Sequence, residues 1–269
     1  MNKKIGRNEL CPCESGLKYK YCCIRKVLRP VQVPVDAECD TCGHKMTVDL
    51  TNDMLNIFAT AELPLKNYCK DNDLYLFGLA VTVGELQGLD EKLKNKTLTK
   101  QDILETFKKN FKKEPILGLL EIACQELEMF RKRHLILKDA FEAHFEGKYT
   151  LSIPTLFAQL EGLLREVGEL KNSDNIRPTI PTDIWEKRLL FSVKDDSQNF
   201  NGFIHKLFEG SKDADTFNRN PILHGFNVNY HSQEHSMLIM LSILEIRLFY
   251  WWQNKTTDIT GQFQSIVKE

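Results

Sequence analysis

Arg219 and His224, with Asn220 directly after the arginine, are side chains whose types and spacing suit cutting RNA. A guanidinium keeps its charge at any physiological pH and grips phosphate through parallel N–H donors. An imidazole titrates near neutrality, so it can take up or release a proton. Set against a ribose phosphate, the pair supports attack of the 2′-hydroxyl on the neighbouring phosphorus without a catalytic metal. His224 removes the hydroxyl proton or protonates the leaving 5′-oxygen, and Arg219 stabilises charge on the phosphorane. The products are a 2′,3′-cyclic phosphate and a free 5′-hydroxyl. Asn220-Pro221 reads as a cap followed by proline at the first helical position. Arg219 and His224 would then flank a helix N-terminus, where free amides favour phosphate and disfavour imidazolium. Gly225 would let substrate approach closely or release the helix. The bland alternative is an arginine that caps a helix or pairs an acid, beside a satisfied histidine.

The block Asn218-Arg219-Asn220-Pro221-Ile222-Leu223-His224-Gly225 follows a polar loop and precedes a long apolar helix. In this it resembles the HEPN family, whose ribonuclease members carry an arginine four to six residues before a histidine. The resemblance implies a helical bundle and a homodimer whose paired motifs form one composite site, since one histidine does not supply both acid and base. It also implies that Asn218 and Asn220 position phosphate or the histidine, and that the chain acts as a toxin or antiphage-defence effector. The segment IPTLFAQLEGLLREVGEL is similar to an early core helix of the family. Its polar candidates Gln159 and Glu161 would orient the arginine or histidine, though Glu161 reads equally well as a helix-surface residue. Tyr230 would stack on a base or pack a dimer. His231 and His235 have a metal-compatible spacing but no third ligand. The second reading is a non-catalytic RNA-, nucleotide- or protein-binding adaptor.

Cysteines cluster at the start of the chain. Cys11 and Cys13 form one close pair and Cys22 and Cys23 another, with Ser15-Gly16 turning between them. Two thiolate pairs suit a tetrahedral structural zinc, which would replace the core so short a segment lacks. The string KIGRNELCPCESGLKYKYCC resembles the SEC-C motif, a zinc-binding tail of the protein-export ATPase SecA. Glu14 departs from the glycine common there, and Cys23 stands where some members have histidine. The segment is locally basic, which suits docking to a ribosome, RNA or an acidic protein, or plain solvation. A second cluster, Cys39, Cys42 and His44 with Cys69 as the nearest further thiol, is half a zinc site by spacing. Cys124 lies on an apolar helical stripe and is expected in the core.

The positioning elements are mainly α. We read residues 1–29 as the zinc module and 30–50 as a linker with a short strand over 46–50. Residues 51–114 read as helical with no assigned role, 115–255 as the HEPN-like helical domain, and 256–269 as a polar, frayed tail. Leu156, Phe157, Leu160, Leu163, Leu164 and Val167 form one apolar stripe, with Ser152 and Pro154 expected at its start. Residues 185–208 read as two helical pieces broken near 195–201. Ser232 is expected to cap a terminal helix whose apolar face includes Met237, Leu238, Leu241, Leu244, Leu248 and Trp251. Part of that face is expected to build the bundle and part a dimer.

With 36 lysines and arginines against 37 acids, the formal net charge is −1. That excludes tight coating of nucleic acid, which depends on counterion release, but not a pocket for one or two nucleotides. No stretch suits a membrane span, the sequence opens without an apolar leader, and reduced clustered thiols suit a cytoplasmic setting.

Overall fold

The computed structural model describes Glu9, Lys18 and residues 34–38, 45–49, 61–170, 193–208 and 217–266, with backbone alone for the two strands, 193–197 and 251–266. Two units are described separately. In the first, β1 (Pro34–Glu38) pairs antiparallel with β2 (Lys45–Asp49), Pro34 opposite Asp49 and Glu38 opposite Lys45. Proline is tolerated at the first position of a strand, where no ladder donor is missed. The expected strand is therefore present one residue earlier than read, and it has a partner where only a linker was expected.

The second unit is helical. Its early helices are α1 (Leu63–Asp71), α2 (Val83–Lys94) and α3 (Lys100–Asn110). Thr82 with Glu85, and Thr99 with Asp102, form reciprocal capping boxes that start α2 and α3. Next come α4 (Lys113–Glu126), the short α5 (Glu128–Arg131), α6 (His134–Phe145) and α7 (Tyr149–Val167). Gly147 ends α6 with φ of +74°, a left-handed turn that glycine adopts without penalty. The unit is completed by α8 (Val193–Phe208), α9 (Arg219–Leu223) and α10 (Gln233–Ile266). One continuous core runs from Leu65 to Phe249, so the helices before and after residue 114 share it.

Three expectations are corrected. α8 is unbroken across 195–201, because Phe200, Phe203, Ile204 and Leu207 recur at helical spacing and bury one face. α7 starts at Tyr149, so Ser152 lies inside the helix instead of capping it, and all six residues of the apolar stripe are buried. α10 continues to Ile266, where a frayed tail was expected; no proline interrupts 253–266.

Every residue of α10 from Ser236 to Ile246 is buried, so the helix is the centre of the unit. Where a single apolar face was expected, the helix is buried all round over this stretch. Its polar residues must therefore find partners within the protein. Ser236 Oγ lies 2.8 Å from His144 Nδ1 and 2.9 Å from Ser152 Oγ, joining α10 to α6 and α7. Tyr75 donates to Glu245 Oε1 at 2.8 Å. Ser242 donates to the Leu238 carbonyl at 2.7 Å. At the surface Arg247 makes a two-pronged pair with Glu126 of α4, at 2.9 and 3.0 Å.

Burial among Phe111, Phe145 and Tyr149 pushes His144 down from its ordinary 6.5 to about 4. The unfolded chain therefore binds a proton there more readily than the folded one. The contribution is fully present above pH 6.5 and is lost as pH falls towards 4, by on the order of 2–3 kcal/mol. Urea unfolding at pH 7 and pH 4.5 should show a smaller acid-induced loss for His144→Gln than for wild type. Ser236→Ala, which strands His144 and Ser152, should lower stability by about 1–3 kcal/mol at pH 7.

Candidate functional site

The motif is held by a five-residue helix, and its true cap is Asn218. Asn218 Oδ1 accepts from the Asn220 backbone N–H at 3.0 Å, and Asn218 Nδ2 donates to the Lys206 carbonyl at 2.9 Å. One buried amide thus satisfies a donor at the start of α9 and an acceptor in the last turn of α8. Asn218 is the joint between two helices. Pro221 falls at the third helical position, where its missing N–H costs no hydrogen bond, so it does not mark the helix start. The expected arrangement about a helix N-terminus is therefore corrected: Arg219 opens α9 and His224 is its C-cap.

Arg219 turns towards α7. Its Nη2 lies 2.5 Å from Glu161 Oε2, and its Nη1 donates to Asn220 Oδ1 at 3.0 Å. Glu161 Oε1 also meets Arg165 Nε at 3.4 Å, within one helical turn. Arg219 Nε is buried with no hydrogen-bond partner among the described residues. Of the two polar candidates on α7, Glu161 is thus brought to the motif arginine, and Gln159 is half-buried with no described contact to the motif. His224, five positions on, is exposed, roughly 140° around an ideal helix from Arg219. The arrangement offers a fixed, carboxylate-oriented guanidinium and a solvent-accessible imidazole on one short, doubly anchored element.

Gly225 has φ of +76° and leads the chain back, so that the Phe226 and Asn227 amides both donate to the Pro221 carbonyl, at 2.8 and 3.0 Å. No atom lies within 4 Å of where a Gly225 side chain would begin. Its role here is the left-handed turn that stops the helix.

Tyr230 does a job the sequence did not disclose. Pro154 lies inside α7 and has no N–H to give the carbonyl four residues earlier, Thr150. The Tyr230 hydroxyl donates to that carbonyl at 3.3 Å. His235 stacks on Phe217 with ring centroids 3.7 Å apart, and burial lowers its pKa. His231 precedes α10, whose first turn Ser232 caps by accepting from the His235 amide at 3.0 Å, so the two histidines do not share a helical face. The Phe217–His235 stack could have been suspected only from two aromatic rings flanking the motif.

Of the cysteines, Cys11, Cys13, Cys22, Cys23, Cys39 and Cys42, with His44, lie outside the described residues. Cys69 is a fully buried residue of α1 whose thiol is pushed up to about 12 by burial, which disfavours the thiolate a metal needs. Its place is in the core of the helical unit. Cys124 is buried as expected, its thiol raised to about 11 by burial and by nearby Glu121. Among the described residues no cluster of three metal-ligating side chains occurs.

Tyr230→Phe should cost about 0.5–1.5 kcal/mol by removing the donor to Thr150. In a Pro154→Ala background, which restores the helix's own donor, that cost should shrink, as read by a double-mutant cycle in urea.

Residues 7–25 carry a SEC-C motif. Over this stretch the chain is similar to the protein translocase subunit SecA of Syntrophomonas wolfei, 70% identical over 27 residues, 10% of this chain and 3% of that protein. It is likewise similar to SecA of Clostridium acetobutylicum and of Clostridium tetani, each 75% identical over 24 residues, 9% of this chain and 3% of those proteins. The chain thus spans about 3% of the length of the curated relatives it matches. No solved structure matches it. No helix among the described residues is long and apolar enough to cross a membrane.

Proposed function

We propose that the chain is a metal-independent endoribonuclease of the HEPN type, acting as a toxin or antiphage-defence effector. The observation that carries this is the pairing of a guanidinium fixed by Glu161 and Asn220 with the exposed imidazole of His224 on the same short helix. A guanidinium already oriented needs little reorganisation when charge develops on phosphorus. His224 moves the proton at the 2′-oxygen or the 5′-oxygen, and Asn220 and Glu161 act as positioning residues for Arg219. Because one imidazole does not perform both proton transfers, the working form is a homodimer with a composite site. RNA is the substrate, and the setting is cytoplasmic.

The SEC-C segment supports a zinc-binding N-terminal module. Cys11, Cys13, Cys22 and Cys23 would hold the ion, which supplies folding energy to a segment too short for a core. The module serves as a docking element for a protein or ribosomal surface. Elemental analysis of protein purified without chelator should give about one zinc per chain from this module, lost on Cys11→Ser.

A second reading, the non-catalytic adaptor, is favoured by one specific observation: a 2.5 Å pair with Glu161 is also what a purely structural arginine makes. The two separate cleanly. Wild type incubated with total RNA without added divalent cation should cleave it to cyclic phosphate and 5′-hydroxyl ends, and His224→Ala should not. Loss of one proton-transfer group should slow cleavage by about 10²–10⁴-fold. Equal cleavage by both proteins, or none by wild type, would transfer the conclusion to the adaptor.

A further inference from the structure

Phe226 exposes 74% of its surface, more than any other large hydrophobic side chain described. It is not on a loose loop. Its own amide and that of Asn227 both donate to the Pro221 carbonyl, Asn227 is buried, and the Asn229 amide closes an Asx turn onto Asn227 Oδ1 at 2.9 Å. The ring is therefore presented to solvent by a pinned backbone. Its centroid lies 6.4 Å from that of His224, at an interplanar angle of 48°, so it sits beside the imidazole without stacking on it.

We infer that Phe226 is a stacking platform for the base of a nucleotide flanking the scissile phosphate in single-stranded RNA. The inference rests on the ribonuclease reading above and deepens it by naming the substrate's form and a contact that selects it. An exposed aromatic face is what an unstacked base takes, and a duplex keeps its bases stacked away from such a ring. With the ring 6.4 Å from the imidazole, a base on Phe226 and a ribose oxygen within hydrogen-bond reach of His224 fall within one nucleotide. The charge balance also calls for such a contact. The chain's net charge is −1 and Arg219 is matched by Glu161, so attraction to phosphate alone holds a strand weakly. Base stacking supplies sequence-tolerant affinity without charge. A protein lid would be a poorer occupant, because it would desolvate the exposed His224 beside the ring, whereas RNA brings hydroxyl and phosphate groups to it.

The test uses the full chain and a short single-stranded 2′-O-methyl oligonucleotide, which has no free 2′-hydroxyl and cannot be cut. Fluorescence anisotropy should show roughly tenfold weaker binding for Phe226→Ala and for Phe226→Leu, and near wild-type binding for Phe226→Trp. On cleavable single-stranded RNA the loss should fall on KM more than on kcat. A Phe226→Leu variant that binds like wild type would overturn the proposal, since an apolar side chain without a ring would suffice. So would loss of binding that follows loss of a dimer in light scattering, which would assign the ring to a protein contact. If Phe226→Ala binds normally while His224→Ala still abolishes cleavage, the platform falls and the ribonuclease stands. If wild type neither binds nor cleaves, both fall together.

Discussion

A helix buried on every side is the constraint on which the second unit depends. From Ser236 to Ile246, α10 has no solvent-facing residue, so its few polar side chains persist only with partners inside the protein. The surrounding elements meet that demand. His144 from α6 and Ser152 from α7 close on Ser236, while Tyr75 reaches Glu245 from the loop after α1. These directed contacts specify one seating of α10 among its neighbours, where a uniformly apolar helix would accept several. Pinning α6 and α7 to α10 in turn fixes Glu161, and through Glu161 the orientation of Arg219.

The motif's own anchoring is economical. Asn218 links α8 to α9, Glu161 links α9 to α7, and Tyr230 links the loop after α9 back to α7. Three side chains thus tie a five-residue helix and its following loop to elements of 16 and 19 residues. Rigidity and exposure coexist here, because His224 and Phe226 remain exposed while these tethers hold the backbone. That combination suits a site that must keep one charge fixed and still admit a polymer.

How much of this was readable in the sequence depends on the scale of the interaction. The α7 stripe from Leu156 to Val167 was legible because burial repeats with the helical period. Glu161 was legible as a polar break in that stripe, although not as a partner of Arg219 in particular. Proline is a poor marker of helix starts in this chain, since neither Pro154 nor Pro221 opens its helix. Proline is tolerated throughout the first turn, so Pro221 allowed Asn218 to win over Asn220 as cap. Pro154 lies deeper still, at a position where a hydrogen bond is lost and recovered 80 residues away from Thr150. Local patterning cannot reveal a donor supplied at that separation. The all-round burial of α10 was hidden for a related reason: Ser236 and Glu245 look solvent-facing until their partners on other elements are known. By contrast, the SEC-C motif was fully legible, since its residues are fixed by local spacing alone.

Gly225 carries one more implication. Its backbone turns the wrong way for an ordinary side chain, yet the space where that side chain would start is empty. What the position demands is torsion and not smallness. A mirror-image residue such as D-alanine would satisfy it and would also have fewer conformations to lose on folding. In this loop glycine stands in for the opposite stereochemistry, and Phe226 is aimed outward because of that choice.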